Sequence, residues 1–373
     1  MYIKSLTLKN FRNYENQTIA FAPGTNIIYG PNANGKTNIL EAVYLFGYGK
    51  SHRTKTDSDM IRFGAQGSKA TITFESKGRD FTAEIRLQKD GKKTISVNNV
   101  PIKKLSRLMS YFHAVIFSPE DLTLVKGSPS ARRKYMDASL CRIYPGYFSA
   151  LSEYKEAATE KNILLKQLRK KGKTSDDYLS IWNERLAVPC QKIMEYRSAF
   201  INDMALYAAK IQKDISGEEL EMLYEPSLKV NGEKDIFEFL ELNQKREIEN
   251  GAMYWGVQRD DICLHIGALD ARQFASQGQQ RTTALSMRIA EADYIFEKTG
   301  EYPVLLLDDI FSELDINRRL YLWQRIIDKQ VIITCTDTDF FENKNKAKLF
   351  VVENSSVRED DMKRGDGSVS ASG

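Results

Sequence analysis

No run of apolar residues in the 373-residue sequence approaches the ~20 that a membrane-spanning helix needs. The opening residues, MYIKSLTLKNFRNYENQTIAF, contain no unbroken apolar stretch. A secretory signal is therefore not expected, and the chain reads as cytoplasmic. Cysteine is scarce and scattered: Cys141, Cys190, Cys263 and Cys335 form no CxxC pair. That fits a reducing compartment and offers neither a zinc nor a redox site. The three histidines are far apart and form no metal-binding tract. Overall charge is nearly balanced, 54 Lys and Arg against 50 Asp and Glu. With 42% hydrophobic and 28% charged residues, the composition is that of a folded globular protein.

The balance hides an asymmetry. Residues 1–118 hold 18 Lys and Arg against 8 Asp and Glu, whereas the remainder holds 36 against 42. A basic end suits nucleic acid, and it equally suits a solvated lysine-rich surface. The first third alternates apolar and polar residues at 72–75, 81–87 and 94–99, between Gly-containing turns, as half-buried strands do. The middle changes period. Leu151, Tyr154, Ala158, Leu165 and Leu168 form one helical stripe. After the turn 172–177, with Ser175 or Asp176 as N-cap, a second stripe runs from Trp182 to Ile211. Pro189 should kink it, because proline lacks the N–H and crowds the preceding turn. Two such helices make either a projecting arm or the core of a bundle. The last third reads as a buried strand (302–309), a helix (318–328) and a second buried strand (331–336), the pattern of a parallel sheet covered on both faces. The tail 358–373 is polar and Gly/Ser-rich and is expected to be disordered.

Gly30-Pro31-Asn32-Ala33-Asn34-Gly35-Lys36-Thr37 matches GxxxxGK[ST], between a short apolar strand (26–29) and a helix (38–46). Glycines let backbone N–H groups turn inward around phosphates, and the helix N-terminus adds partial positive charge. Lys36 should reach the β- and γ-phosphates of ATP and the Thr37 hydroxyl should bind Mg²⁺. Asp308 and Asp309 close the apolar run 304–307 at the strand end where α/β sheets bind ligands. Asp308 is expected in the Mg²⁺ shell, and Asp309 is expected to orient or deprotonate the attacking water. Lys36, Asp308 and Asp309 are thus the catalytic candidates. Residues 275–280, Ala-Ser-Gln-Gly-Gln-Gln, open a further helix (281–296). They read as a polar N-cap or as a second phosphate site.

That last segment resembles the LSGGQ signature of ABC-type ATPases through Ser276, Gly278 and Gln279, and Ser312-Glu313-Leu314-Asp315 resembles their D-loop. Wider stretches resemble the SMC-like branch of that family, and within it the bacterial members of recombinational repair. They are 8–21 (LKNFRNYENQTIAF), 30–54, 117–137 (FSPEDLTLVKGSPSARRKYMD), 259–266, 276–291 (SQGQQRTTALSMRIAE) and 305–315 (LLLDDIFSELD). The resemblance implies an α/β fold, an ABC/SMC-type P-loop ATPase head with an inserted helical arm domain. The corresponding division is 1–118 and 256–357 for the head, 119–255 for the arm, and 358–373 for the tail. It also implies a homodimer sandwiching two ATP molecules, in which Ser276, Gly278, Gln279 and Asp315 meet the nucleotide held by the partner's P-loop. Single-stranded or gapped DNA, with RecO and RecR as mediator partners, RecA loading and the SOS response, come with the same resemblance.

Three departures stand out from the general ABC pattern. Gln277 replaces the first signature glycine, Thr336 sits where a switch histidine is expected, and the catalytic acid is Asp309 rather than Glu. The last two imply slow hydrolysis, with ATP acting as a switch, and DNA stimulation of that hydrolysis is what the resemblance implies. DNA-contact candidates are Lys50, His52, Arg53 and Lys55, then Arg132, Arg133 and Lys134, then Arg169, Lys170, Lys171 and Lys173. Contact with phosphates needs only accessible positive charge, so these clusters are also compatible with plain surface. The motifs alone would also allow a transporter motor or a nuclease-linked ATPase.

Overall fold

The computed structural model describes residues 1–103, 105–230, 232–338 and 347–360. The chain packs as two units, one built from Met1–Asp121 together with the chain from Glu291 onward, the other from Leu122–Ala290. The second unit takes in more than the 119–255 insertion read from the sequence, because the strands after residue 255 and the Ser276–Gln279 turn pack with the helices. Among the described residues, no helix is long and apolar enough to cross a membrane.

Two six-stranded sheets build the first unit. One is antiparallel and orders Tyr14–Ala20, Tyr2–Phe11, Gly67–Ser76, Arg79–Gln88, Lys93–Val97 and Val100–Pro101. Its strands bury alternate residues, as in Ser68, Ala70, Ile72, Phe74 and Ser76, because side chains on a pleated strand alternate faces. The other sheet orders Ser356–Glu359, Lys348–Glu353, Thr25–Tyr29, Val331–Cys335, Val304–Asp308 and Ala114–Phe117. Its inner strands run parallel and are buried along their length, which explains their unbroken apolar sequences. Thr25–Tyr29 lies between Val331–Cys335 and Lys348–Glu353, so the chain leaves it into Gly30 at the carboxyl edge of a sheet with neighbours on both sides. Residues 358–360 of the expected tail are ordered: Arg358 and Glu359 pair with Val351 and Phe350, and Asp360 accepts a bond from the Tyr29 hydroxyl. Residues 361–373 lie outside the described residues.

The second unit joins helices Pro129–Ile143, Pro145–Lys170, Tyr178–Ser216, Glu233–Leu242 and Gln244–Asn250 to an antiparallel sheet of Leu220–Glu225, Asp261–Ile266 and Leu269–Asp270. The second long helix runs 39 residues through Pro189 without interruption. Asp177, not Ser175 or Asp176, occupies its N-cap position, while Asp176 Oδ1, one residue earlier, accepts from the Tyr178 N–H at 3.1 Å. The two long helices pack on one another, with Leu165, Leu168, Leu186, Ile193 and Phe200 buried. Arg197 is the polar centre of this unit, 2% exposed, and its guanidinium meets Asp137 at 2.8 Å and Asp260 at 2.7 Å.

Candidate nucleotide site and signature turn

Gly30–Thr37 forms a tight loop between Thr25–Tyr29 and the helix Lys36–Tyr48. Gly30 (φ 144°) and Gly35 (φ 105°) adopt backbone conformations that disfavour any side chain. A Cβ on Gly30 would lie 2.4 Å from the Val352 carbonyl oxygen, and one on Gly35 2.3 Å from Asn13 Nδ2. Lys36 is 8% exposed and folds over the loop, donating to the carbonyls of Gly30 at 2.7 Å and Pro31 at 2.9 Å. Burial pushes its ammonium down, against the opposing pull of Asp309 and Asp308.

Beside the loop, Thr37 Oγ1 donates to Asp308 Oδ1 at 2.9 Å, and Thr334 Oγ1 donates to the same oxygen at 2.7 Å. Three neighbouring elements, the P-loop helix and the strands Val304–Asp308 and Val331–Cys335, thus converge on one carboxylate. Asp309 follows in a left-handed conformation (φ 53°), with its N–H directed to Thr334. Burial pushes the Asp309 carboxyl up and the Asp308 charge adds to this, while the Ser312 hydrogen bond opposes it. A carboxyl displaced toward neutral pH suits proton transfer better than a fully exposed one.

An outer layer braces the loop. The Arg12–Tyr14 turn reaches it: Asn13 Nδ2 donates to the Asn34 carbonyl, Asn38 Nδ2 donates to Asn13 Oδ1, and the Tyr14 hydroxyl donates to the Gly35 carbonyl. Arg12 makes a two-pronged ion pair with Glu41, 2.8 and 2.6 Å, and Glu41 is fully buried on the P-loop helix. The Ser51 hydroxyl also donates to Glu41. Burial pushes the Glu41 carboxyl up, but Arg12 and Ser51 outweigh it, so the group is held below its ordinary value. Sequence reasoning assigned no role to Arg12, Asn13, Glu41 or Thr334. The first two lie in the stretch 8–21 that carries the family resemblance, but their contacts across 20 or more residues carry no local signature.

The signature residues sit in the other unit. Ser276 and Gln279 form a reciprocal cap: the Gln279 N–H donates to Ser276 Oγ at 3.2 Å and the Ser276 N–H donates to Gln279 Oε1 at 2.8 Å. Gln279 Nε2 also donates to Glu218 at 2.7 Å. Gly278 accepts from the Thr282 hydroxyl within the helix Gln277–Thr299. Asp315 caps the helix Ile316–Ile326, accepting from the Arg318 N–H at 3.0 Å, and pairs with the Arg318 side chain.

The basic candidates divide. Lys50, Lys55, Lys134, Lys170 and Lys171 are exposed. Arg53 leans on the P-loop helix, donating to Asn38 Oδ1 at 2.7 Å. His52 meets Tyr44 edge-on at 4.9 Å, and burial pushes its imidazole down. Arg169 donates to the Asn250 carbonyl and Lys173 pairs with Asp176. Arg132 is a correction: it is 2% exposed and paired with Asp261 through two bonds of 2.7 and 2.8 Å. It is a buried structural residue, unavailable to a phosphate in this conformation. Asp260, in the stretch 259–266, is the partner of Arg197, Tyr224 and the Ser227 N–H.

A family profile described as "RecF/RecN/SMC N terminal domain" matches residues 2–358. A "DNA replication and repair protein RecF" of Acetivibrio thermocellus is 41% identical over 354 residues, 92% of this chain and 96% of the relative. One of Clostridium novyi is 40% identical over 365 residues, 96% of this chain and all of the relative. A solved structure of the recombination mediator protein RecF-ATPrS in the RecFOR pathway superposes with a TM-score of 0.90 at 34% identity, covering 96% of this chain and 98% of that one. Its RecF-ATP counterpart gives 0.89 at 32% identity, covering 96% and 97%. An Smc head domain from Pyrococcus furiosus, at 17% identity and TM-score 0.56 over 96% of this chain and 95% of that one, shares the fold. The fold is that of ABC/SMC-type ATPase heads.

Proposed function

The chain belongs to the RecF/RecN/SMC family, and within it to the RecF proteins, and from that premise we propose that it is an ATP-gated DNA-binding protein of recombinational repair. The observation that carries this reading is the convergence of the Gly30–Thr37 loop and Asp308 at the carboxyl edge of the parallel sheet, joined by the 2.9 Å bond from Thr37. The residues present fit Mg²⁺–ATP. The loop lacks a side chain at both positions where a Cβ would collide. Lys36 Nζ is held by carbonyls and has no carboxylate ion pair among the described residues, which leaves its positive charge available to phosphate oxygens. Thr37 and Asp308 present hydroxyl and carboxylate oxygens side by side, the donor set a hard divalent cation takes. When bound, Mg²⁺–ATP supplies the transferable phosphoryl group and the charge that a second subunit recognises.

The chain's own residues supply the rest. Lys36 and the N-terminal N–H groups of its helix orient the phosphates. Asp309 holds the proton acceptor at the end of its strand. Ser276, Gly278 and Gln279 serve the nucleotide of a second copy, after the Ser276–Gln279 cap and the Glu218 bond rearrange. Asp315 lies near that contact in this reading. A carboxylate shorter than Glu, and Thr336 in place of a histidine, make hydrolysis slow, so ATP works as a timed clamp. Single-stranded or gapped DNA is its substrate, RecO- and RecR-like proteins its mediators, and RecA loading with the SOS response its outcome. The solved relatives described as belonging to the RecFOR pathway support this assignment.

Mass measurement by light scattering tests the clamp. Mg²⁺–ATP should convert monomer to dimer, and Ser276→Arg should stay monomeric while still binding ATP. A Ser276→Arg protein that dimerises normally, or loses ATP binding, would remove the signature from the partner-facing role.

A further inference from the structure

A cavity of about 280 Å³ opens in the helical unit, lined among others by Ser130, Arg133, Lys134, Asp137 and Lys155. The first four lie on the helix Pro129–Ile143, and Lys155 comes from the helix Pro145–Lys170. Arg197 also lines it.

The charges here do not cancel. Arg197 is matched by Asp137 and Asp260, each within 2.8 Å. Asp137 also accepts from the Tyr147 hydroxyl at 2.5 Å. Lys155 is left 4.0 Å from Asp137. Arg133 gives one N–H to the Asp260 carbonyl at 2.7 Å and makes no ion pair among the described residues. Lys134 makes no ion pair among the described residues, and the Ser130 hydroxyl makes no hydrogen bond among them. Three cationic side chains therefore face one concave space whose single acid is already engaged twice. Burial pushes the Arg133 guanidinium down and the Arg197 charge adds to this, while Asp261, Asp260 and Asp137 oppose it. An anion entering the cavity would meet Lys134, Lys155 and a half-buried arginine whose remaining N–H groups match the oxygens of a phosphate.

We propose that this cavity is a phosphate-binding site that seats a backbone phosphodiester of DNA on the helical unit. The proposal deepens the DNA-binding reading above and rests on it. It assigns the contact to Arg133, Lys134, Lys155 and Ser130, and excludes the neighbouring Arg132.

The test uses the full chain and the variant Lys134→Gln/Lys155→Gln, both exposed positions, with Arg133→Gln as a second variant. Unphosphorylated single strands and duplexes of equal length are titrated by fluorescence anisotropy over a salt series with Mg²⁺–ATP. Inorganic phosphate is titrated by calorimetry in parallel, with the P-loop saturated by a slowly hydrolysed ATP analogue. The double variant is expected to bind DNA about tenfold more weakly, uniformly across sequences, with the salt slope flattened by about 1. Unchanged affinity and slope in both variants, with wild-type binding intact, would overturn the site and leave the ATP-gated reading standing. Phosphate binding that the variants abolish, with DNA affinity unaffected, would identify free phosphate as the ligand and overturn the DNA assignment. A wild-type chain that binds no DNA would defeat the function proposed above, and failure to bind phosphate as well would defeat the cavity.

Discussion

Replacing Arg12 by Met should destabilise the ATPase unit and soften the nucleotide loop together. Arg12 closes two hydrogen bonds onto Glu41, whose side chain has no exposure, while Arg53 stands 3.8 Å away. Removing one partner of a buried ion pair costs about 3–5 kcal/mol, because the surviving charge is left without compensation. The Ser51 hydroxyl and Arg53 remain, so the lower end of that range, about 3 kcal/mol, is expected. The variant should also answer acid differently. In the wild type Glu41 is held below its ordinary value, so its contribution is complete above that value and is lost as pH falls through the folded one. In Arg12→Met burial prevails, the carboxyl is pushed up, and protonation removes the buried charge. The difference in stability between the two proteins should therefore shrink as pH falls from 7.5 toward 5. Urea unfolding followed by tryptophan fluorescence at several pH values measures this. A loss below about 1 kcal/mol, the range of an exposed pair, or a difference independent of pH, would refute the reasoning.

Asp309→Asn should lower single-turnover phosphate release by about 10²–10⁴-fold, while nucleotide affinity stays within a few-fold; equal release rates would remove Asp309 from the chemistry. Since the Asp309 carboxyl is raised, wild-type hydrolysis should fall with decreasing pH at a midpoint above an ordinary aspartate's. Gly35→Ala forces a side chain into φ 105° and against Asn13. Strain of about 1–3 kcal/mol predicts roughly 5- to 150-fold weaker binding of a fluorescent nucleotide, and Asn13→Ala should relieve only the clash. Undiminished binding would show that the loop does not hold nucleotide in this conformation.

Much of the site was legible because its parts are local. The loop Gly30–Thr37 and the strand ending at Asp308-Asp309 each occupy fewer than ten consecutive residues, and their chemistry depends on spacing. The parallel strands were legible for the same reason, as short apolar runs. What stayed hidden depends on contacts between distant segments. Arg132 and Arg133 are adjacent in sequence, yet one is consumed by Asp261 and the other lines an open cavity. A helix turns successive residues by about 100°, so no reading of a basic cluster separates them without knowing what packs on each side. The Arg197–Asp137–Asp260 network joins residues 60 and 63 positions apart, and the Arg12–Glu41 pair joins two elements across 29. Pro189 does not end its helix, because the turns packed on either side carry the 39-residue element through it.

The central claim is that nucleotide in the Lys36 site controls DNA binding. Fluorescence anisotropy of labelled single-stranded, duplex and gapped DNA at near-physiological salt, with and without Mg²⁺–ATP, tests it most directly, with Lys36→Met alongside. ATP should tighten binding to at least one of these DNAs, and Lys36→Met should abolish that gain while leaving the nucleotide-free affinity in place. DNA binding that is the same with and without ATP, or a Lys36→Met protein that responds to ATP like the wild type, would contradict the account.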